Sequence, residues 1–317
     1  MARILVTGAA GFIGTALCRG LAARGHQPIA GLRHPAPPSE AAEGLVLGNI
    51  APDRDWSRPL RGIRVEIVIH LAQRAHRTGD PAALAPEPAA AAALARAAAR
   101  AGARRFVCIS SILAMGLETP LGHPFRNTDN PHPAGIYGRA KLATEQALTK
   151  AAQETGIELA ILRLPSVHGP GVRANFRALL RLVASGLPLP FAAIENRRSV
   201  VFLDNLVDLI AVAAIHSAAP GGIWLVRDDP DLSTPDLVRG LAAGLDRPAR
   251  LFPVPDPLWP MLQATPGIGP RMAALTRSLQ ADDAATRTAL GWTPPVQAVE
   301  GLARTGRAFA EASGLRR

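Results

Sequence analysis

Tyrosine is almost absent from this sequence. The 317 residues hold one, Tyr137. Lysine is nearly as scarce: of 35 basic residues only Lys141 and Lys150 are lysine, and the others are arginine. Aromatic residues make up 4%, and no basic run is interleaved with them. The net charge of +10 therefore reads as an arginine-rich bias, compatible with an anionic small substrate, and not as a nucleic-acid surface. Two cysteines, Cys18 and Cys108, are too few for a disulfide framework. They fall inside an expected helix and strand, as small core residues in a reducing compartment do. No apolar run reaches membrane-spanning length; the best, Leu206 to Ala219, carries Asp208 and His216. The segment Met1 to Ala23 has an early arginine and apolar residues like a leader peptide, but its glycines at 8, 11 and 14 argue for structure. There is no G-x-x-x-x-G-K-[ST] phosphate loop and no G-x-S-x-G elbow. The eight histidines form no helical metal pair. His70 and His76 belong to a strand end and a loop, so no metal site is expected. These exclusions leave a cytoplasmic chain, not inserted in a membrane and long enough for a sizeable core.

The two scarce residue types fall together. Tyr137 stands four residues before Lys141 in Tyr137-Gly138-Arg139-Ala140-Lys141, inside a segment, Ile136 to Thr155, that reads as a helix. Residues four apart share a helical face, so the pattern sets an ammonium group beside a phenol. A nearby positive charge favours phenolate, which suits Tyr137 to proton transfer near neutral pH.

The order of the chain supplies a frame for that pair. Arg3 to Thr7 is a short apolar strand, followed by Gly8-Ala9-Ala10-Gly11-Phe12-Ile13-Gly14 and a helix-like Thr15 to Arg24. Strand, G-x-x-G-x-x-G, helix is the arrangement that brings backbone close to a pyrophosphate at a helix N-terminus. A second strand, Pro28 to Leu32, ends in Arg33-His34 where an acidic residue would accept a ribose 2′-hydroxyl. Arg33 can pair with a 2′-phosphate instead, which favours NADP over NAD. Asn49, before Ile50, either bonds an adenine amino group or forms the turn. A fourth strand, Val65 to Leu71, is apolar throughout, as a buried parallel strand is. Its end, Leu71-Ala72-Gln73, lies at the carboxyl edge where cofactors bind in such sheets, with small Ala72 giving passage to a dinucleotide. The fifth strand, Arg105 to Ser110, ends in Ser110-Ser111-Ile112, and a serine at a strand's carboxyl end can hydrogen-bond a substrate carbonyl or form the turn. A long loop, Gly116 to Ala134, then enters the Tyr137 helix; loops of that length are usually functional. Regular alternation of strands and helices up to Leu164 implies a doubly wound parallel sheet. Beyond Pro165 the pattern loosens. Asp228, Asp229 and Asp231 read as a solvated acidic turn.

Together these residues resemble the extended short-chain dehydrogenase/reductase family, within it the nucleotide-sugar epimerases, dehydratases and keto-reductases. Thr7 to Gly14 matches the family's glycine loop, Ser111 its catalytic serine, and Tyr137 with Lys141 its Y-x-x-x-K pair. Leu162 through Gly171 looks like the turn into the substrate domain, Arg198 through Asn205 like the strand whose arginine contacts a nucleotide diphosphate, and Leu290-Gly291-Trp292-Thr293-Pro294 like the family's late L-G-W-x-P. The resemblance implies an α/β fold: a Rossmann sheet over 1–165, to which the chain returns at about 199–227, and a smaller nucleotide-sugar domain over 166–317. It implies catalysis by Ser111, Tyr137 and Lys141. It implies NADP(H), with NAD(H) as the alternative, held by Gly8, Gly11, Phe12, Ile13, Gly14, Arg33, Asn49, Ile50, Leu71, Ala72, Gln73, Tyr137, Lys141 and Pro165. The substrate, a UDP-sugar or related nucleotide sugar, would meet Ser111, Asn175, Arg198 and Arg277. Met115 and Ser166 depart from the family's usual aromatic residue and asparagine. The net reaction implied is reduction of a UDP-4-keto-6-deoxy amino sugar, as in polysaccharide synthesis. The alternatives are a UDP-hexose or UDP-N-acetylhexosamine 4-epimerase and a non-catalytic NADP-sensing regulator. The resemblance leaves room for a homodimer.

Overall fold

A computed structural model of the chain describes residues 1–35, 41–73, 81–264 and 269–315. Seven strands form one all-parallel sheet: β1 (Arg3–Thr7), β2 (Gln27–Leu32), β3 (Glu43–Val46), β4 (Ile67–His70), β5 (Arg105–Ser111), β6 (Glu158–Leu164) and, after β7 (Ser166–His168) and β8 (Val200–Phe202), β9 (Ile223–Leu225). Their spatial order is β3-β2-β1-β4-β5-β6-β9. The order runs outward from β1 in both directions, the Rossmann arrangement, and it opens a crevice at the carboxyl ends of β1 and β4. β7 and β8 pair separately as a two-stranded parallel sheet. The Gly/Pro-rich segment predicts a turn over 166–168; the apolar strand β8, distant in sequence, recruits those residues into a ladder instead.

Alternation along the strands decides which helices cover which face. Ile4, Val6, Ile69 and Val107 point to one face and pack with α1 (Phe12–Ala23) and α7 (Leu203–Ile215) through Leu17, Leu21, Leu206 and Ile210. Leu5, Val68, Phe106 and Cys108 point to the other and pack with α4 (Glu87–Arg100) and α5 (Gly135–Thr155) through Leu94 and Leu148. Two single-turn helices, α2 (Ser57–Leu60) and α3 (Pro81–Leu84), lie in the connections on either side of β4. Both cysteines are buried and free, and burial pushes their thiols up to about 11 and about 12. The wealth of arginine serves this framework in part. Arg105 is buried at the start of β5 and donates to the carbonyls of Ala213, Ala214 and His216, which satisfies the open C-terminal end of α7.

The remainder of the chain builds a third core around β8. It contains α6 (Ala174–Ala184), α8 (Thr234–Gly244) and α12 (Ala298–Ala312), meeting through Leu180, Phe191, Val200, Val238 and Leu302. Between α8 and α12 run α9 (Trp259–Ala264), α10 (Gly269–Thr276) and α11 (Ala284–Leu290). The first two have no period in the sequence that marks them as helices. Gly291, with φ +59°, ends α11, and Leu290 and Trp292 turn back into the first core. The Trp292 indole there donates to Asp208 on α7.

The acidic turn after β9 is not solvated as the sequence suggested. Asp228 is wholly buried. It accepts hydrogen bonds from the Phe202 backbone N–H at 2.6 Å and from Asn205 Nδ2 at 2.8 Å. Burial pushes its carboxyl up to about 7. Asp229 and Asp231 sit in an ion-pair network with Arg227, Asp283 and Arg287. The cause is physical: the groups that bond Asp228 come from Phe202 at the end of β8 and Asn205 in the first turn of α7, neither of them local in sequence.

Candidate active site

The glycine loop closes on the end of β4. Gly8 has φ +72°, and a Cβ there would stand 2.9 Å from the Ala72 nitrogen, so glycine is required both by conformation and by approach. The Gly11 N–H donates to the Gly8 carbonyl at 2.9 Å. Gly11 is also the N-cap of α1 and offers no side chain to its first turn. The first N–H groups of α1 therefore point into the crevice with the positive end of the helix dipole, a site for phosphate oxygens. Phe12 and Ile13 turn inward onto the core, and Gly14 follows them in the first turn of α1. Thr7 ties the two strand ends together: its Oγ1 lies 2.9 Å from His70 Nδ1 and accepts from the Ala72 N–H at 3.2 Å. Burial, then the charge of Lys141, pushes His70 down to about 3, so it is neutral. Beside it, Gln73 Oε1 is buried without a partner among the described residues, an acceptor left for a ligand donor. Arg33 and Asn49 are exposed beyond β2 and β3, and Ile50 packs on the second core. This crevice fits a dinucleotide. Of the histidines weighed for a metal, His76 lies outside the described residues; no cluster able to hold a metal occurs among those described.

The scarce pair sits at the next strand end. Ser111 closes β5 and caps a 3-10 turn, Ile112–Ala114, its Oγ accepting from the Leu113 N–H at 3.2 Å. α5 meets that turn with its first residues. Gly138 packs directly on the Leu113 carbonyl: a Cβ there would stand 2.3 Å from that oxygen. The contact sets Tyr137 beside the Ser111 turn. Lys141 is 4% exposed, and its Nζ lies 5.1 Å from the centroid of the Tyr137 ring, within range of a cation–π contact. No ion pair to Lys141 occurs among the described residues. Half-buried Tyr137 and Lys141 thus lie on the helix that packs against the Ser111 turn at the carboxyl end of β5, with β4 between that turn and the glycine loop.

Two residues here escaped the sequence reading. One turn beyond Lys141, Glu145 is buried and bridged by Arg163 of β6, with Arg163 Nη2 at 2.6 Å from Oε2 and Nε at 3.1 and 3.2 Å from the two oxygens. Ser110 Oγ donates to the same carboxylate, and Arg163 Nη1 reaches the Met115 sulfur. Met115, 1% exposed, is therefore a packing residue behind the site. The signals were present: a carboxylate four residues after Lys141, and a charge inside an apolar strand.

The residues expected around substrate are spread wider. Pro165 is buried between β6 and β7, and Ser166 is exposed. Arg198 is half-buried, its Nη1 donating to the carbonyls of Ala274 and Arg277. Arg277 pairs with Glu118 of the long loop at 3.1 Å. The structure thus joins Arg198, Arg277 and the loop, while Asn175 stands exposed in the first turn of α6.

A parallel sheet of this order, a helix-borne Tyr–Lys pair and a serine at the neighbouring strand end define a short-chain dehydrogenase/reductase of the extended, nucleotide-sugar group. Within that class the assignment is specific: residues 4–226 match the model of the NAD dependent epimerase/dehydratase family, and the chain belongs to that family, an NAD(P)-dependent enzyme. Over 98% of its length and 96% of the relative's, it is 38% identical to a UDP-glucose 4-epimerase of Vibrio cholerae. It is 28% identical to a dTDP-6-deoxy-L-talose 4-dehydrogenase (NAD(P)(+)) of Kitasatospora kifunensis, over 92% and 91% of the two chains. Among solved structures, MoeE5 in complex with UDP-glucose and NAD superposes with a TM-score of 0.74 at 25% identity, covering 98% and 99%. No helix among the described residues is long and apolar enough to cross a membrane.

Proposed function

We propose that this protein is a UDP-sugar 4-epimerase. It would oxidise C4 of a UDP-linked hexose or N-acetylhexosamine and return hydrogen to the opposite face. The observation that carries the reading is the Tyr137–Lys141 pair on a helix packed against the Ser111 turn, one strand over from the glycine loop, in a chain similar over nearly its whole length to a UDP-glucose 4-epimerase. When bound, the dinucleotide supplies the hydride acceptor and donor. Gly8, Gly11, Phe12, Ile13, Gly14 and the α1 N-terminus would hold its pyrophosphate, Arg33, Asn49 and Ile50 its adenosine end, and Leu71, Ala72, Gln73 and Pro165 its middle and far wall. Tyr137 takes the C4 hydroxyl proton as the ketone forms and gives it back as the alcohol returns. Ser111 Oγ holds that oxygen, and Lys141 keeps a positive charge by the phenol and reaches the nicotinamide ribose. Arg198, Arg277 and Asn175 are assigned to the diphosphate side, where guanidinium forks suit phosphate oxygens; Arg277 exchanges Glu118 for it. Residues 1–165, with a return at about 199–227, form the cofactor half, and 166–317 the sugar half.

A second reading is favoured by Arg33. An epimerase recycles its cofactor, whereas a reductase draws fresh reducing equivalents, commonly NADPH, and an exposed arginine after β2 suits a 2′-phosphate. The reaction would be reduction of a UDP-4-keto-6-deoxy amino sugar. The intact catalytic set argues against a non-catalytic sensor. One experiment separates these readings. The protein is incubated with UDP-glucose, UDP-galactose and their N-acetyl forms, and separately with UDP-4-keto-6-deoxy-N-acetylglucosamine plus NADPH or NADH. Interconversion without net cofactor consumption is the expected result. Stoichiometric NADPH oxidation, with the preference weakened in Arg33→Ala, would establish the reductase. Tight UDP-sugar binding with no turnover would leave the sensor.

A further inference from the structure

The Glu145–Arg163 pair poses a problem of charge. Glu145 lies four residues after Lys141 on one face of α5, the spacing at which carboxylate and ammonium groups pair along a helix. Both side chains are buried, where an unsatisfied charge is costly. A Glu145 free to turn would take Lys141 as its partner. The structure shows it engaged elsewhere: Arg163 grips both carboxylate oxygens, and Ser110 donates to Oε1. A two-pronged guanidinium contact is the geometry that best saturates a carboxylate. Lys141 is left over the Tyr137 ring at 5.1 Å.

We infer that Arg163 is a positioning residue whose work is to sequester Glu145, so that Lys141 keeps its charge for the Tyr137 phenol. The inference rests on the assignment of Ser111, Tyr137 and Lys141 as the catalytic set and goes beyond it, because Arg163 touches none of the three. The other titratable and charged groups that face this interior can be named. From β4 comes His70, from β5 Cys108, and both feel Lys141. Cys108 also feels Glu145. His70 is neutral, with its value pushed down to about 3, and Cys108 stays a thiol, pushed up to about 12. Neither competes for Lys141. On the rear side a groove of about 540 Å³ reaches Glu145 and Arg163 between α5 and the β6–β9 edge, with Lys150 on its lining.

The single tyrosine makes a direct test possible. With carbon-13 at the tyrosine Cζ, one resonance reports ionisation of Tyr137, with no assignment needed and no substrate present. In Arg163→Met the freed carboxylate captures Lys141, and the midpoint of that titration moves to higher pH by about one unit, the direction and scale of losing one neighbouring cation. Lys141→Met gives the same direction. In Arg163→Met/Glu145→Gln there is no carboxylate to capture the lysine, and the midpoint returns toward wild type. Turnover follows the same order: a loss of ~10-fold or more in the single variant, within the range of impaired proton transfer, and recovery in the double. An unchanged midpoint in Arg163→Met overturns the inference. So does a double variant no closer to wild type than the single, since a pair that merely bolts α5 to β6 is not repaired by removing its second half. If Arg163→Met does not fold, Arg163→Lys is read in its place: it keeps the charge but gives up the two-pronged contact, and a smaller shift in the same direction is required. A wild-type protein inert on every sugar would remove the epimerase reading and leave the tyrosine titration to decide this one.

Discussion

Gly138→Ala tests whether the contact between α5 and the Ser111 turn aligns the site. The added methyl would lie 2.3 Å from the Leu113 carbonyl oxygen and 3.1 Å from its carbon, against 3.4 Å or more for ordinary contact. The obstacle is backbone, held in a 3-10 turn between β5 and Met115, so it cannot swing aside as a side chain would. The first turn of α5 must move outward by about 1 Å, and a displacement of that size at a catalytic group costs ~10²-fold in rate. Stability changes less. Alanine gains roughly 1 kcal/mol of helix propensity over glycine, and overpacking costs about 1–3 kcal/mol. The melting temperature should therefore fall by only a few degrees. The assay is steady-state turnover of the sugar that wild type converts, with calorimetry for the dinucleotide and a thermal scan on the same sample. The expected pattern is a large drop in kcat and unchanged dinucleotide affinity, because the glycine loop lies across β4 from the change. Wild-type kcat with an intact melting curve would refute the reasoning, as it would mean that α5 does not need this contact to set Tyr137.

Three further outcomes are expected. Tyr137→Phe lowers turnover by ~10²-fold or more through lost acid–base catalysis while calorimetry finds dinucleotide affinity little changed. Arg198→Ala weakens UDP binding in calorimetry by ~10-fold, the scale of one charge-assisted hydrogen bond; equal affinity would remove Arg198 from the diphosphate side. Asp228 makes stability depend on pH. Its folded-state value is raised from 3.8 to about 7, so the folded protein holds a proton that the unfolded chain has released across that window. Stability contributed by the protonated group therefore declines as pH rises from about 4 to about 7, by on the order of a few kcal/mol. Asp228→Asn flattens that slope in thermal scans at constant ionic strength, and an unaltered slope counts against the assignment.

The parts of this protein that could be read from sequence are those whose cause is local. A strand, three glycines and a helix start within a dozen residues announce a pyrophosphate loop, and the Tyr137–Lys141 spacing is complete within one helical turn. The doubly wound sheet follows from regular alternation. What escaped depends on partners far along the chain. Glu145 drew no reading from the sequence, because its partners Arg163 and Ser110 come from neighbouring strands. Asp228 looked solvated because the Phe202 N–H and the Asn205 amide, both more than twenty residues away, reach it only in the folded chain. Arg198 could be picked out by family likeness, but its hold on the end of α10 could not, since α10 itself left no periodic signal.

Phe12 sits in the middle of the glycine loop, and its ring belongs to two cores at once: it packs against the first, under α1 and α7, and against the third, around β8. Anything that stiffens the loop therefore also acts on the third core through this side chain. Ligand binding raises the free energy of every opening that breaks the bound site, so a dinucleotide on α1 should slow amide hydrogen exchange in α8 and α12 as well as in the sheet. Phe12 is one link of several, with Leu290 and Trp292 also turning back into the first core, so Phe12→Ala should weaken this long-range protection in α8 and α12 without abolishing it.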